Sequence, residues 1–221
     1  MYDQRVERSA GFAGLAFVVL VLVVGFLPGV PPPSNAAPAE IAAFFDAHRT
    51  VMLFSAWLSW PLAALFLWFG VQLRAFLRLA PQVDDGLPTY MFAAALLATA
   101  VTFVSATFQV ALVFHPAANL GDPLVRALYD GFNASGTALL LGPVAIMVFA
   151  ASHSGRRHAS LPAALVYFGY LTALLDALSS LGVFFTDGFF ALGGVGALAL
   201  GLLPFAVWVV WTSIVLIRAP R

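Results

Sequence analysis

The sequence predicts an all-α fold: a polytopic transmembrane bundle of six helices, both termini cytoplasmic, with a short outer interfacial helix near residues 38–48. Three observations carry this. Of 221 residues, 62% are hydrophobic and 9% charged, against roughly 45–50% and about 25% in soluble chains. So few charges cannot cover so much apolar surface, and lipid must be the solvent for much of it. The apolar residues also gather into six stretches close to the ~20 residues that cross about 30 Å of hydrocarbon. Finally, the arginines divide unequally between the connecting segments.

In order, the six stretches are 10–27, 51–73, 90–114, 132–151, 161–185 and 191–217. The first ends at Pro28-Gly29 and is followed by Pro31-Pro32-Pro33. Each is read as a helix, because an open strand leaves its backbone unsatisfied in lipid and the alternation of a barrel is absent. A single transmembrane domain over 1–221 is expected, with no loop long enough for a soluble catalytic domain and no repeat relating the two halves.

Orientation follows from arginine in the short loops. With the N-terminus inside, Arg5, Arg8, Arg74, Arg78, Arg156, Arg157, Arg218 and Arg221 are cytoplasmic, and only Arg49 and Arg126 are outside. Glu40, Asp46, Asp122, Asp130 and Asp187 fall on the outer side. Trp208, Trp211 and Tyr90 are assigned to an interfacial belt. The expected location is the inner (plasma) membrane, multi-pass. A rival reading makes the first stretch a signal peptide cleaved near Ala36-Ala37-Pro38-Ala39, leaving five spans. Its apolar run of about 18 residues exceeds the usual 7–15 of such peptides, so the span is preferred.

Between the first two spans, Pro38 at a first helical position and Glu40 in the first turn predict a short helix over 38–48. Ile41, Phe44 and Phe45 share a face, which would rest on the membrane surface or continue the second span upward. Asp122-Pro123 predicts another helix start, with the aspartate as N-cap. Small residues four apart mark helix contacts: Ser55, Ser59 and Ala63; Ala98, Thr102 and Ala106; Ala134, Ala138 and Gly142; Gly193, Ala197 and Gly201. One such ridge could instead serve a homo-oligomer or a partner membrane subunit. Pro61, Pro143 and Pro204 lie inside spans and should kink them.

Asp176 is the one acid well inside a span, about 14 Å from the outer end of the fifth helix at 1.5 Å per residue. A charged group at that depth costs at least about 2.5–3.5 kcal/mol. Thr172, Ser179 and Ser180 lie on its face, and Arg126, Asp130, Asn133 and Thr137 form a matching stripe on the fourth helix. The functional reading is an outward-facing polar pocket of Asp176, Asn133, Asp130, Arg126, Thr137 and Thr172 that binds a small ligand or relays a proton. The structural alternative is an uncharged Asp176 hydrogen-bonded to Asn133 and the hydroxyls, locking two helices.

His48 and His115 fall at the outer face near Glu40, Asp46 and Asp130, but no metal-ligand spacing joins them, so they are weak metal candidates. No cofactor is expected. Arg49 is assigned to Asp46 or Asp130. His153 and His158 flank Arg156-Arg157 as an inner anchor to anionic membrane lipid. Gln72 and Gln109 are expected to reach headgroups or loops, and Trp57, Trp60 and Trp68 to pack in the core. There is no lysine, so no retinal Schiff base can form; there is no cysteine, so disulfides and thiolate metal sites are excluded. Zero net charge argues against nucleic acid.

The Pro-Gly-Val-Pro-Pro-Pro turn at 28–33, Glu-Ile-Ala-Ala-Phe-Phe-Asp-Ala-His-Arg at 40–49, and Leu-Phe-Leu-Trp-Phe-Gly-Val-Gln-Leu-Arg at 65–74 resemble uncharacterised actinobacterial-type multi-span membrane proteins. They are loosely similar to the DUF4386 group. The resemblance covers the first third of the chain and implies a topology, with no activity or residue roles. The expected role is a non-enzymatic binding or accessory module; the alternatives are a small proton-coupled permease and, last, a lipid-active membrane enzyme.

Overall fold

The computed structural model describes residues 4–79 and 85–218; Arg221, the side chains of Arg5 and Arg8, and loop positions 80–84 lie outside what is described. Among the described residues there is no strand. The α-helices are α1 (Gln4–Phe26), α2 (Pro38–Ala47), α3 (Arg49–Trp57), α4 (Ser59–Leu77), α5 (Gly86–Val113), α6 (Asp122–Asn133), α7 (Leu139–Arg157), α8 (Ala163–Ser180) and α9 (Leu203–Arg218). Five helical stretches are long and apolar enough to cross a membrane: Arg49–Leu77, Gly86–Val113, Asp122–Arg157, Ala163–Phe184 and Ala199–Arg218. The apolar part of α1, Gly11–Phe26, is shorter.

Proline shapes these helices. Its ring clashes with the carbonyl four residues earlier and it donates no N–H, so each in-span proline sits just after an irregularity. Pro61 follows the break at Leu58 between α3 and α4. Pro143 follows a π-helical turn, Ala134–Ala138, and Pro204 follows another, Ala197–Leu202. At Asp122 the aspartate is the first helical residue, and the cap is Gly121, whose φ of 77° suits glycine.

The main core joins α1, α4, α5, α7, α8 and α9, with Phe17, Phe66, Phe69, Met147, Leu165 and Trp208 among its members. α1 is seated by glycine. A Cβ on Gly11 would come within 2.6 Å of the Ser213 carbonyl oxygen, and one on Gly14 within 2.2 Å of Ser213 Oγ and 2.8 Å of Phe69. The missing side chains let α1 close on α9 and α4, as small residues do wherever helices must approach in lipid.

A second apolar cluster caps one end of the bundle. α2 lies as predicted, but Ile41 and Phe45 are fully buried against Val125, Tyr129 and Leu112. Its apolar face is therefore covered by protein, which corrects the membrane-surface placement. Arg49 pairs with neither Asp46 nor Asp130. Its Nε and Nη2 donate to the Val113 and Phe114 carbonyls at 2.7 and 2.6 Å, satisfying acceptors that the end of α5 leaves open. Asp46 accepts from the Ala117 and Ala118 amides at 2.6 and 3.3 Å.

Three further expectations are corrected. Trp57, Trp60 and Trp68 are 61, 67 and 47% exposed on the outside of the bundle, while Trp208, assigned to the belt, is fully buried. Gln72 is buried. Gln109 donates to the Met52 carbonyl and to Ser55 Oγ at 3.0 and 2.6 Å, tying α5 to α3. An amide on a helix face gains more from a buried neighbour than from a distant headgroup.

Candidate functional site

α8 starts after Pro162 and carries its polar residues on one stripe: Gly169, Thr172, Asp176 and Ser179, spaced three, four and three. Thr172 and Asp176 are fully buried and Ser179 nearly so. Both Asp176 carboxylate oxygens, Thr172 Oγ1 and Ser179 Oγ have no hydrogen-bond partner. Some hydroxyls fold back onto their own helix: Thr99 bonds the Ala95 carbonyl and Thr102 the Ala98 carbonyl at 2.9 and 3.0 Å. That local bond is open to any helical threonine; Thr172 does not make it, and Thr212 and Ser213 on α9 are likewise buried without partners.

The same band continues toward the other end of α8. A Cβ on Gly169 would fall 2.0 Å from Ser152 Oγ and 2.8 Å from Trp208 Nε1, so this glycine admits α7 and α9 against α8. Ser152 Oγ and Trp208 Nε1 are also buried without partners. From Gly169 to Ser179 the band is about 15 Å long at 1.5 Å per residue. Each unsatisfied buried polar group costs about 1–3 kcal/mol, so the interior retains a costly set of donors and acceptors around one carboxylate.

Irregular backbone flanks this band. The π-helical turns Ala134–Ala138 and Ala197–Leu202 both pack along α8. Such turns are frequent at functional sites. Between α8 and the second of them the chain is non-helical over 185–194, with Gly193 at φ 68°. Asn133 Oδ1 lies 2.8 Å from where a Gly193 Cβ would stand, and Asn133 Nδ2 is buried without a partner.

The predicted site residues separate into two groups. Arg126 and Asp130 pair with each other at 3.0 Å, their side chains 37 and 47% exposed, and Arg126 also donates to the Ala36 carbonyl at 3.2 Å. Thr137 donates to the Asn133 carbonyl at 2.6 Å. Asn133, Thr172 and Asp176 are buried, and the Asp176–Asn133 hydrogen bond of the structural reading is not made. The proline-rich segment is strapped over this end: Tyr129 Oη donates to the Pro32 carbonyl, and Ser34 Oγ to that of Thr186 at 3.0 Å.

His48 Nδ1 donates to the Phe44 carbonyl at 2.8 Å, and His115 is exposed. Among the described residues no group of three or more His, Asp or Glu could hold a metal ion. Gly169, Ser152 and Trp208 were missed from sequence. The available signal was Gly169, whose stripe leads through Thr172 to Asp176. No family model matches the chain, and neither does any curated protein or solved structure.

Proposed function

We propose that the chain is a six-span protein of the plasma membrane, both termini inside, that binds a small cationic or hydrogen-bond-donating ligand at Asp176. The observation that carries the reading is the fully buried carboxylate without a partner, with the unpartnered Thr172 and Ser179 on the same stripe of α8 and Ser152 and Trp208 at Gly169, about 10 Å further along it. The carboxylate and the hydroxyls of Thr172 and Ser179 can accept from a protonated amine, whereas the indole N–H of Trp208 can only donate. Arg126, Asp130, Asn133 and Thr137 belong to the outer approach, beneath the strap held by Tyr129 and Ser34.

The six-span count is supported by α1. Its apolar part, Gly11–Phe26, extends about 24 Å at 1.5 Å per residue, and it seats Phe17 against Phe66 with ring centroids 4.9 Å apart. Cleaving it as a signal peptide would strip the core of that face. The arginine asymmetry supports the orientation. A second reading, a small proton-coupled permease, is favoured by the helix interruption at Gly193 and the adjoining π turn, an arrangement that transporters use near substrate.

The test is thermal unfolding of purified wild type and Asp176→Asn with methylammonium, ethylammonium and guanidinium. An upward shift that grows with the logarithm of ligand concentration is expected in wild type, about 2.7 kcal/mol at a hundredfold excess over Kd, and none in the variant. Equal shifts in both proteins would remove Asp176 from the site. Proton uptake by wild-type but not Asp176→Asn proteoliposomes would favour the permease.

A further inference from the structure

A groove of 730 Å³ runs along the bundle surface between α5 and α8, with α7 as its floor. It rests on the bilayer placement of the chain and is independent of the Asp176 reading. Its body is apolar: Ile146 and Phe149 on α7 face Leu174 on α8, while the small Ala145, Ala173 and Ala177 recess it. Its polar residues are His153, Arg156 and Tyr170, at the end where α7 finishes, and Tyr90 near the start of α5. His153 Nδ1 lies 3.2 Å from Tyr170 Oη, and its ring stacks on Phe149 with centroids 5.7 Å apart and planes at 17°.

Charge selects the occupant. At this same end Arg74 and Arg78 share Asp85 at 2.8 and 3.1 Å. Arg156 is exposed and has no ion pair among the described residues. A guanidinium, an imidazole and a phenol gathered at the mouth of an apolar channel match a phosphate with a hydrocarbon chain behind it. We propose that this groove is a site for one anionic phospholipid, its phosphate on Arg156, His153 and Tyr170 and one acyl chain laid between Phe149 and Leu174 toward Ala177. A stack fixed by Phe149 and a hydrogen bond fixed by Tyr170 preorganise the imidazole, which distinguishes this place from the general lipid contact of the bundle.

The experiment titrates detergent-purified protein with phosphatidylglycerol and, separately, phosphatidylethanolamine, and counts bound lipid by native mass spectrometry. A one-to-one phosphatidylglycerol complex is expected, about tenfold weaker in Arg156→Ala from the loss of a charge-assisted bond. Arg156→Lys should keep most of the affinity. Ala177→Phe, which fills the far end at an exposed position, should weaken binding with Arg156 intact. Arg218→Ala removes the same charge from the end of α9, outside the groove lining, and should leave binding unchanged. Equal affinity for the two lipids overturns the proposal, as does an Arg218→Ala loss matching that of Arg156→Ala. So does unchanged affinity in Ala177→Phe, or full competition by glycerol phosphate, which would assign the mouth to a soluble phosphate.

Discussion

Replacing Gly11 by alanine tests whether α1 is a resident member of the bundle. The new Cβ would stand 2.4 Å from Ile217 Cγ1 and 2.6 Å from the Ser213 carbonyl oxygen. The isoleucine tip can rotate away; the α9 backbone cannot move without displacing the helix. Overpacking of this kind costs about 1–3 kcal/mol, against a helix-propensity gain of about 1 kcal/mol for removing a glycine. The net expectation is a loss of about 0–2 kcal/mol. Gly25, on the same helix, has nothing within 4 Å of its would-be Cβ, so Gly25→Ala isolates the propensity gain and should leave stability unchanged or raised by up to about 1 kcal/mol. Reversible unfolding in mixed detergent reads both. At about 2–4 °C per kcal/mol for a chain of this size, the two variants should differ by several degrees. Equal shifts would refute the packing of α1 on α9, and with it the argument for six spans.

Arg49→Ala should cost about 1–2 kcal/mol, from two charge-assisted bonds at a solvent-facing helix end. Arg49→Lys should recover about half, since an ammonium lacks the fork that reaches both carbonyls; equilibrium unfolding checks this, and a neutral Arg49→Ala would contradict it. Brominated phospholipid should quench the fluorescence of Trp57 and Trp60 and spare Trp208. Trp60→Phe then removes quenchable signal and Trp208→Phe removes unquenchable signal; the reverse pattern would contradict the burial of these rings.

Much of the helical plan was legible because hydrocarbon permits few alternatives. The stretches at 51–73 and 132–151 fall inside Arg49–Leu77 and Asp122–Arg157, and 90–114 ends one residue beyond Gly86–Val113. Proline irregularities were legible for a local steric reason. What failed was facing. In water, apolar means inward; beside lipid, both faces of a helix are apolar, so nothing in the pattern separated the exposed Trp57 and Trp60 from buried Trp208. Partners on the backbone were equally hidden: Arg49 read as a partner of Asp46 or Asp130, yet Arg49 and Asp46 each serve main-chain groups from elsewhere in the chain. Asp176 was visible because an acid at that depth is expensive. Its lack of a partner was not, since that depends on the rotamers of Thr172 and Asn133 and on the close approach at Gly169.

If Asp176 is retained against a stability cost because it binds a ligand, the unfolding free energies of Asp176→Leu and Asp176→Asn, measured without ligand, will expose that cost. An unpartnered buried carboxyl detracts from stability, so both variants should be more stable than wild type, by about 1–3 kcal/mol for the leucine. A loss of stability in both would show that the carboxylate is a structural tie, and the proposed site would fall.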